Sequence, residues 1–203
     1  HLFSSAASDV YKRQVFHTGD WKFDNNPKVG AKTNLDNLKS IGDQGVLAIV
    51  GDSTNSFVEG KTKSENDAYE GLKSVIKSSN GRIIITCFAS NVARIKSIID
   101  ASVENNKKVF IAGRSLNRAI EAANEVGYQV EGIEKSFKNL ENLSHDSAVI
   151  IAGGSQGETR STMTRIANSP HEQIKLKPGE TAIFSSSKIP GNELAIEKVQ
   201  NAL

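Results

Sequence analysis

Short runs of apolar, largely β-branched residues recur along the chain. Each stops at glycine, serine or asparagine and gives way to a longer stretch with apolar residues three or four apart. The runs lie at 15–20, 46–50, 82–88, 108–112, 149–152 and 181–184; at about five residues each they predict strands, mostly of the buried type. Between them the period changes. Ala68, Leu72, Val75 and Ile76 mark one helical face, entered through a capping-box arrangement at Ser64-Glu65-Asn66-Asp67. Val92, Ile95, Ile98, Ile99 and Val103 mark the next, with Ser90 as its predicted cap. Leu116, Ile120, Ala123 and Val126 form a third, ending near Gly127. Further helices are predicted at 162–168 and, more weakly, after Pro190-Gly191-Asn192, whereas 128–143 follows neither period. Strands alternating with helices of this length predict an α/β fold, a mainly parallel sheet flanked by helices.

In such a sheet the strands' C-terminal ends share one edge, where ligands of open α/β folds bind. The turns 87–91, 113–115, 153–157 and 185–187 should therefore open onto one crevice, with Arg94 and Arg114 nearby. Gly153-Gly154-Ser155-Gln156-Gly157 follows a buried strand and precedes a helical pattern, so its free N–H groups suit an anion, phosphate above all. The same glycines also serve as plain geometry for a strand-to-helix turn. No turn matches the G-x-G-x-x-G or Walker fingerprints.

Composition narrows the picture only a little. The 203 residues carry a net charge of +2, so any basic surface must be local. The single cysteine, Cys87, leaves no internal disulfide and fits a reducing compartment. No apolar run approaches the ~20 residues needed to span a bilayer, so no membrane span is expected. Residues 1–14 have no initiator Met, period or secretory pattern, and read as a non-native leader.

Several motifs, in order, resemble the ribonuclease J family, metallo-β-lactamase-fold nucleases with a β-CASP domain. They are His17-Thr18-Gly19-Asp20-Trp21-Lys22-Phe23-Asp24, Gly51-Asp52-Ser53-Thr54-Asn55, Thr62-Lys63-Ser64-Glu65, Phe88-Ala89-Ser90-Asn91 with Arg94, 153–158 and 185–193. The resemblance extends over residues 15–203. It implies a partial metallo-β-lactamase αββα segment at 15–63 and a β-CASP domain, incomplete at its C-terminal end, at 64–203. It also implies a cytoplasmic exo- and endoribonuclease of RNA processing and decay. Such an enzyme cleaves single-stranded RNA, commonly with a 5′-monophosphate end, through water activated by two divalent ions, Zn²⁺ or Mn²⁺. The bridging, catalytic carboxylate would be Asp20. Ser90, Asn91, Arg94, Ser155, Gln156 and Ser186 are the candidate RNA contacts on the shared edge, and Asp52 either supports the site or shapes its turn. A homodimer or homotetramer is implied for the parent protein.

The departures are as informative. The family's H-x-H-x-D-H metal cluster has no counterpart here, and the downstream stretch expected to carry the 5′-phosphate-binding segment is missing. One carboxylate cannot hold two metals, so the chain reads as an internal, by itself inactive fragment. His17 is not assigned as a ligand, since strand alternation would turn it away from Asp20; His145 and His171 lie in loop-like surroundings. Two other readings are a non-catalytic RNA-binding or dimerisation module and a Rossmann-like phosphate- or nucleotide-binding domain. The second lacks the acidic ribose-binding residue it requires.

Overall fold

The computed structural model describes residues 14–168, 171 and 174–203. The segment read as a leader lies outside them but for Gln14. The chain divides into two compact units, one ending at Glu65 and one running from Asn66 to Leu203.

In the first unit β1 (Val15–Gly19) and β2 (Ala48–Gly51) pair in parallel, with α1 (Leu35–Gln44) between them in sequence. The sequence pattern does not predict α1. Its signal was polar: Asn34 caps it by accepting the Asn37 N–H, and Asp36 sits in the first turn, where a negative charge is favoured. None of its residues is buried. The strand expected at 46–50 begins later, and it is not of the buried type. Ile49 and Val50 are 66% and 48% exposed, and no residue of β1, α1 or β2 is fully buried. A sheet face is buried only where another layer packs on it.

The second unit carries α2 (Glu65–Ser78, entered at the boundary), β3 (Ile83–Cys87), α3 (Val92–Glu104), β4 (Lys108–Ala112), α4 (Arg114–Glu125), β5 (Ala148–Gly153), α5 (Thr162–Asn168), β6 (Thr181–Phe184) and α6 (Glu193–Asn201). The sheet order is β4-β5-β3-β6, all parallel and in unbroken register, with Ile85 beside both Ile151 and Ile183. All four strands therefore end on one edge, as the alternation predicts.

Strand alternation splits the core in two. Ile83, Ile85, Val109, Ile111, Val149 and Ile151 pack with α2, α3 and α4. Ile84, Phe110, Ala112, Ile150 and Ala152 face the other way, toward α5, α6 and a 3₁₀ helix at Phe137–Asn142. That 3₁₀ helix, together with an isolated parallel bridge from Ile133 to Val109, resolves the stretch the periodicity left open. The bridge lets the chain leave α4 on one face and return to β5 from the other.

Three stripe positions are corrected. Val75, Val103 and Val126 are 43%, 50% and 71% exposed. Tyr69 takes a place in the α2 stripe instead, Val103 lies in the last turn of α3, and Val126 is the C-cap of α4 rather than part of it. The cap of α3 is Asn91, whose side chain accepts the Arg94 N–H at 3.0 Å, not Ser90. At the opposite edge of the sheet Glu180, its side chain only 2% exposed, meets Arg82 at 2.7 Å and His145 at 3.3 Å. No helix among the described residues is long and apolar enough to cross a membrane.

Candidate functional site

In the first unit, β1 ends at Gly19, which takes a left-handed φ of +59° and throws the next residue clear of the strand. Asp20 is thereby exposed. The strand does not continue to Asp20, so alternation does not set its direction relative to His17. The His17 Nδ1 instead accepts the Gly19 N–H at 3.0 Å, fixing the turn from within. The turn after β2 is tied to it twice. The Trp21 indole donates to the Asp52 carbonyl at 3.0 Å, and the Asp52 N–H donates to the Thr18 hydroxyl at 3.3 Å.

Three carboxylates follow these two strands, and two are spent on the backbone. Asp52 accepts the Thr54 N–H at 2.9 Å and its hydroxyl at 2.6 Å, an Asx-type turn. Those two bonds, the hydroxyl's foremost, hold its carboxyl below the ordinary range. Asp24 accepts the N–H groups of Glu65 and Asn26, both at 2.8 Å, and lies 3.7 Å from Lys22. Partial burial pulls its carboxyl upward, yet these bonds and Lys22 together hold it low. Asp20 alone of the three has no hydrogen-bond or ion-pair partner among the described residues. Sequence reasoning left Asp52 between two roles; its contacts here are those of a residue that shapes the turn.

In the second unit the helices after β4 and β5 leave on opposite faces of the sheet. Neighbouring strands whose connections diverge leave a crevice beyond their ends. Here it is a cleft of about 1230 Å³ lined by the ends of β3, β4 and β5, the starts of α4 and α5, and the 133–137 stretch. Ser155 lines it, as do Arg114, Arg160 and Arg165.

The predicted contact residues fall into two groups. Ser90 is exposed and Ser186 half-buried, on turns of the same sheet edge. Asn91, Arg94 and Gln156 are occupied by the protein. Arg94 donates through Nη1 to the carbonyl and hydroxyl oxygens of Ser185. Gln156, 5% exposed, donates through Nε2 to the Ser186 hydroxyl at 3.2 Å and the Ser187 carbonyl at 3.0 Å. Its Oε1 accepts the Ile189 N–H at 2.9 Å. The turns after β5 and β6 are thus one interlocked structure rather than two neighbouring loops. Arg160 and Arg165 were not singled out from sequence. They lie just past the 153–158 motif, outside it, and the fold brings them to the cleft that Arg114 also lines.

A family model described as "Ribonuclease J, beta-CASP domain" matches residues 80–203. Over 191 residues the chain is 40% identical to a Ribonuclease J of Sinorhizobium meliloti, a match covering 93% of this chain and 34% of that protein. It is 38% identical over 192 residues to Ribonuclease J 1 of Streptococcus pyogenes, covering 94% and 34%. Against a Ribonuclease J of Helicobacter pylori it is 34% identical over 203 residues, covering 98% and 29%. The chain therefore spans about a third of the length of these curated relatives.

Proposed function

This chain belongs to the ribonuclease J family, and from that premise we propose that it is part of a cytoplasmic, metal-dependent ribonuclease. Its substrate would be single-stranded RNA, with a preference for 5′-monophosphate ends, cut exo- or endonucleolytically in RNA processing and decay. The observation that carries the reading is Asp20, exposed where β1 ends and unengaged while its neighbours Asp24 and Asp52 are spent on turns.

Among the described residues no group of three or more His, Cys, Asp or Glu lies together in a way that could hold an ion. Three or more protein donors per ion are usual. The residues present thus fit one corner of a metal centre, the Asp20 carboxylate, and not the whole of it. We place the remaining donors in the two thirds of the relatives' length that this chain does not match. Two bound divalent ions, Zn²⁺ or Mn²⁺, would supply an activated water and stabilise charge at the phosphorus.

What this chain's own residues contribute is binding and orientation. The His17 and Trp21 hydrogen bonds fix the turn that presents Asp20. Ser90 and Ser186 offer hydroxyls along the shared edge, and Ser155 lines the cleft beside it. Asn91, Arg94 and Gln156 hold the turns that carry these groups. Contacts of this kind track a strand's backbone without reading its sequence, and weaken with salt. Assembly of the parent as a homodimer or homotetramer is part of the same proposal.

The test is turnover in the protein extended to its relatives' length, with Mn²⁺ or Zn²⁺ titrated in. Asp20→Ala should abolish RNA cleavage while leaving RNA binding in place; full turnover in that variant would remove Asp20 from the chemistry. The incomplete donor set favours a second reading for the 203 residues alone, a module that binds RNA without cutting it. Salt-sensitive binding with no metal-dependent cleavage would support that reading.

A further inference from the structure

α4 starts against the usual electrostatic rule. Its cap, Gly113, has no side chain to satisfy the first N–H groups, and no acidic residue lies in its first turn. A helix start already carries positive partial charge and favours anions. Here the first helical residue, Arg114, adds a full positive charge to it. Arg114 makes no hydrogen bond or ion pair among the described residues, and neither does Arg160, which lines the same cleft from the loop after β5. Glu121, Glu134 and Glu158 line the same cleft, but none of them ion-pairs with Arg114 or Arg160, and Glu134 is taken by Lys108 at 2.7 Å.

The second observation lies in the same cleft. Ser155 lines it and is 2% exposed, yet its hydroxyl has no hydrogen-bond partner among the described residues. Buried hydroxyls are almost always paired. A hydroxyl can turn to donate to an oxyanion; the Glu158 carboxylate, which accepts the Gln156 N–H at 3.1 Å, makes no hydrogen bond to it.

We propose that this part of the cleft is a phosphate subsite. One phosphate group would be held by the first N–H groups of α4 and the Arg114 and Arg160 guanidiniums, with the Ser155 hydroxyl as a further donor. Asn91, Arg94 and Ser186 do not line this cleft, although Gln156, next to Ser155, reaches Ser186; the phosphate is a backbone phosphate of single-stranded RNA. That last identification rests on the RNA reading above; the subsite itself does not.

The experiment follows backbone amide signals of the ¹⁵N-labelled 203-residue chain during two titrations, first with inorganic phosphate and then with a short single-stranded oligoribonucleotide. Both should shift the Arg114, Ser115 and Ser155 amides in the wild type. In the double variant Arg114→Gln, Arg160→Gln those shifts should be lost while signals from the core strands stay in place, which also verifies folding. The double variant should also reduce the salt slope of RNA binding by about 0.7 for each phosphate contact removed. If phosphate moves these amides and RNA does not, the subsite stands and the RNA reading of this edge falls. If RNA moves Ser90 and Ser186 but leaves Arg114 and Ser155 unmoved, the RNA reading stands and the subsite falls. Unchanged shifts in the double variant also overturn the subsite.

Discussion

Arg94, in the first turn of α3, donates to the carbonyl of Ser185 at 2.9 Å and to its hydroxyl at 3.0 Å, across 91 residues of chain. A guanidinium fixed in this way ties the helix after β3 to the loop after β6, the strand next to it in the sheet. Charged hydrogen bonds of this kind contribute about 1.5–3 kcal/mol. Arg94→Ala should lower the second unit's unfolding free energy by about that much, read from the urea midpoint. Arg94→Lys should recover only part of it, since both bonds leave from Nη1 and a lysine side chain ends about one bond short of that position.

Gln156 should prove equally unforgiving of an isosteric change. Its amide nitrogen donates to Ser186 and Ser187 while its oxygen accepts from Ile189. Gln156→Glu replaces the donor with an acceptor that faces the Ser187 carbonyl. The expected cost is about 1–3 kcal/mol, the penalty of leaving buried polar groups unpaired. Equilibrium denaturation checks it, and a loss well below 1 kcal/mol would mean that the loop rearranges freely.

Glu180 should matter more than its position at the sheet's far edge suggests. With 2% of its side chain exposed, it is the partner of Arg82, itself only 13% exposed. Removing one member of a buried pair costs about 3–5 kcal/mol, because the other charge is stranded. Glu180→Ala should approach the lower end of that range, with His145 half out in solvent. Thermal and urea unfolding would show it.

The strands and their shared edge were legible in the sequence because a parallel buried strand is nearly continuous in apolar residues, as 83–87 and 149–152 are. The turns could be placed for the same reason. What the turns do was not legible. Gln156 sits in a glycine-rich stretch that reads as a phosphate loop, yet its partners lie 30 and more residues ahead, where no local pattern points to them. Helix α1 escaped because its stripe is short, only Leu35, Leu38 and Ile41, and lies on a segment that otherwise reads as polar. Ile133 escaped because a single bridging residue has no period.

The Asp52 carboxyl should titrate below its ordinary 3.8, since Thr54 bonds its ionised form. The sign follows from linkage: the contribution to stability is complete above the unfolded value and is lost as pH falls through the lower folded value. Carboxyl carbon shifts against pH would measure the midpoint. In Asp52→Asn that acid-side loss should disappear, whereas Asp20→Ala should leave unfolding unchanged, since the exposed Asp20 carboxylate engages nothing described here.

Gly157 has φ +75°, and a Cβ there would stand 2.4 Å from the carbonyl carbon of Ala195 on α6. A main-chain atom cannot swing aside as a side chain would, so the last glycine of the 153–157 turn is required by the seating of a helix nearly forty positions later. Homologues that drift at 157 would have to shift α6 outward in the same step. A glycine retained there reports how two segments dock, and says nothing about what the cleft holds.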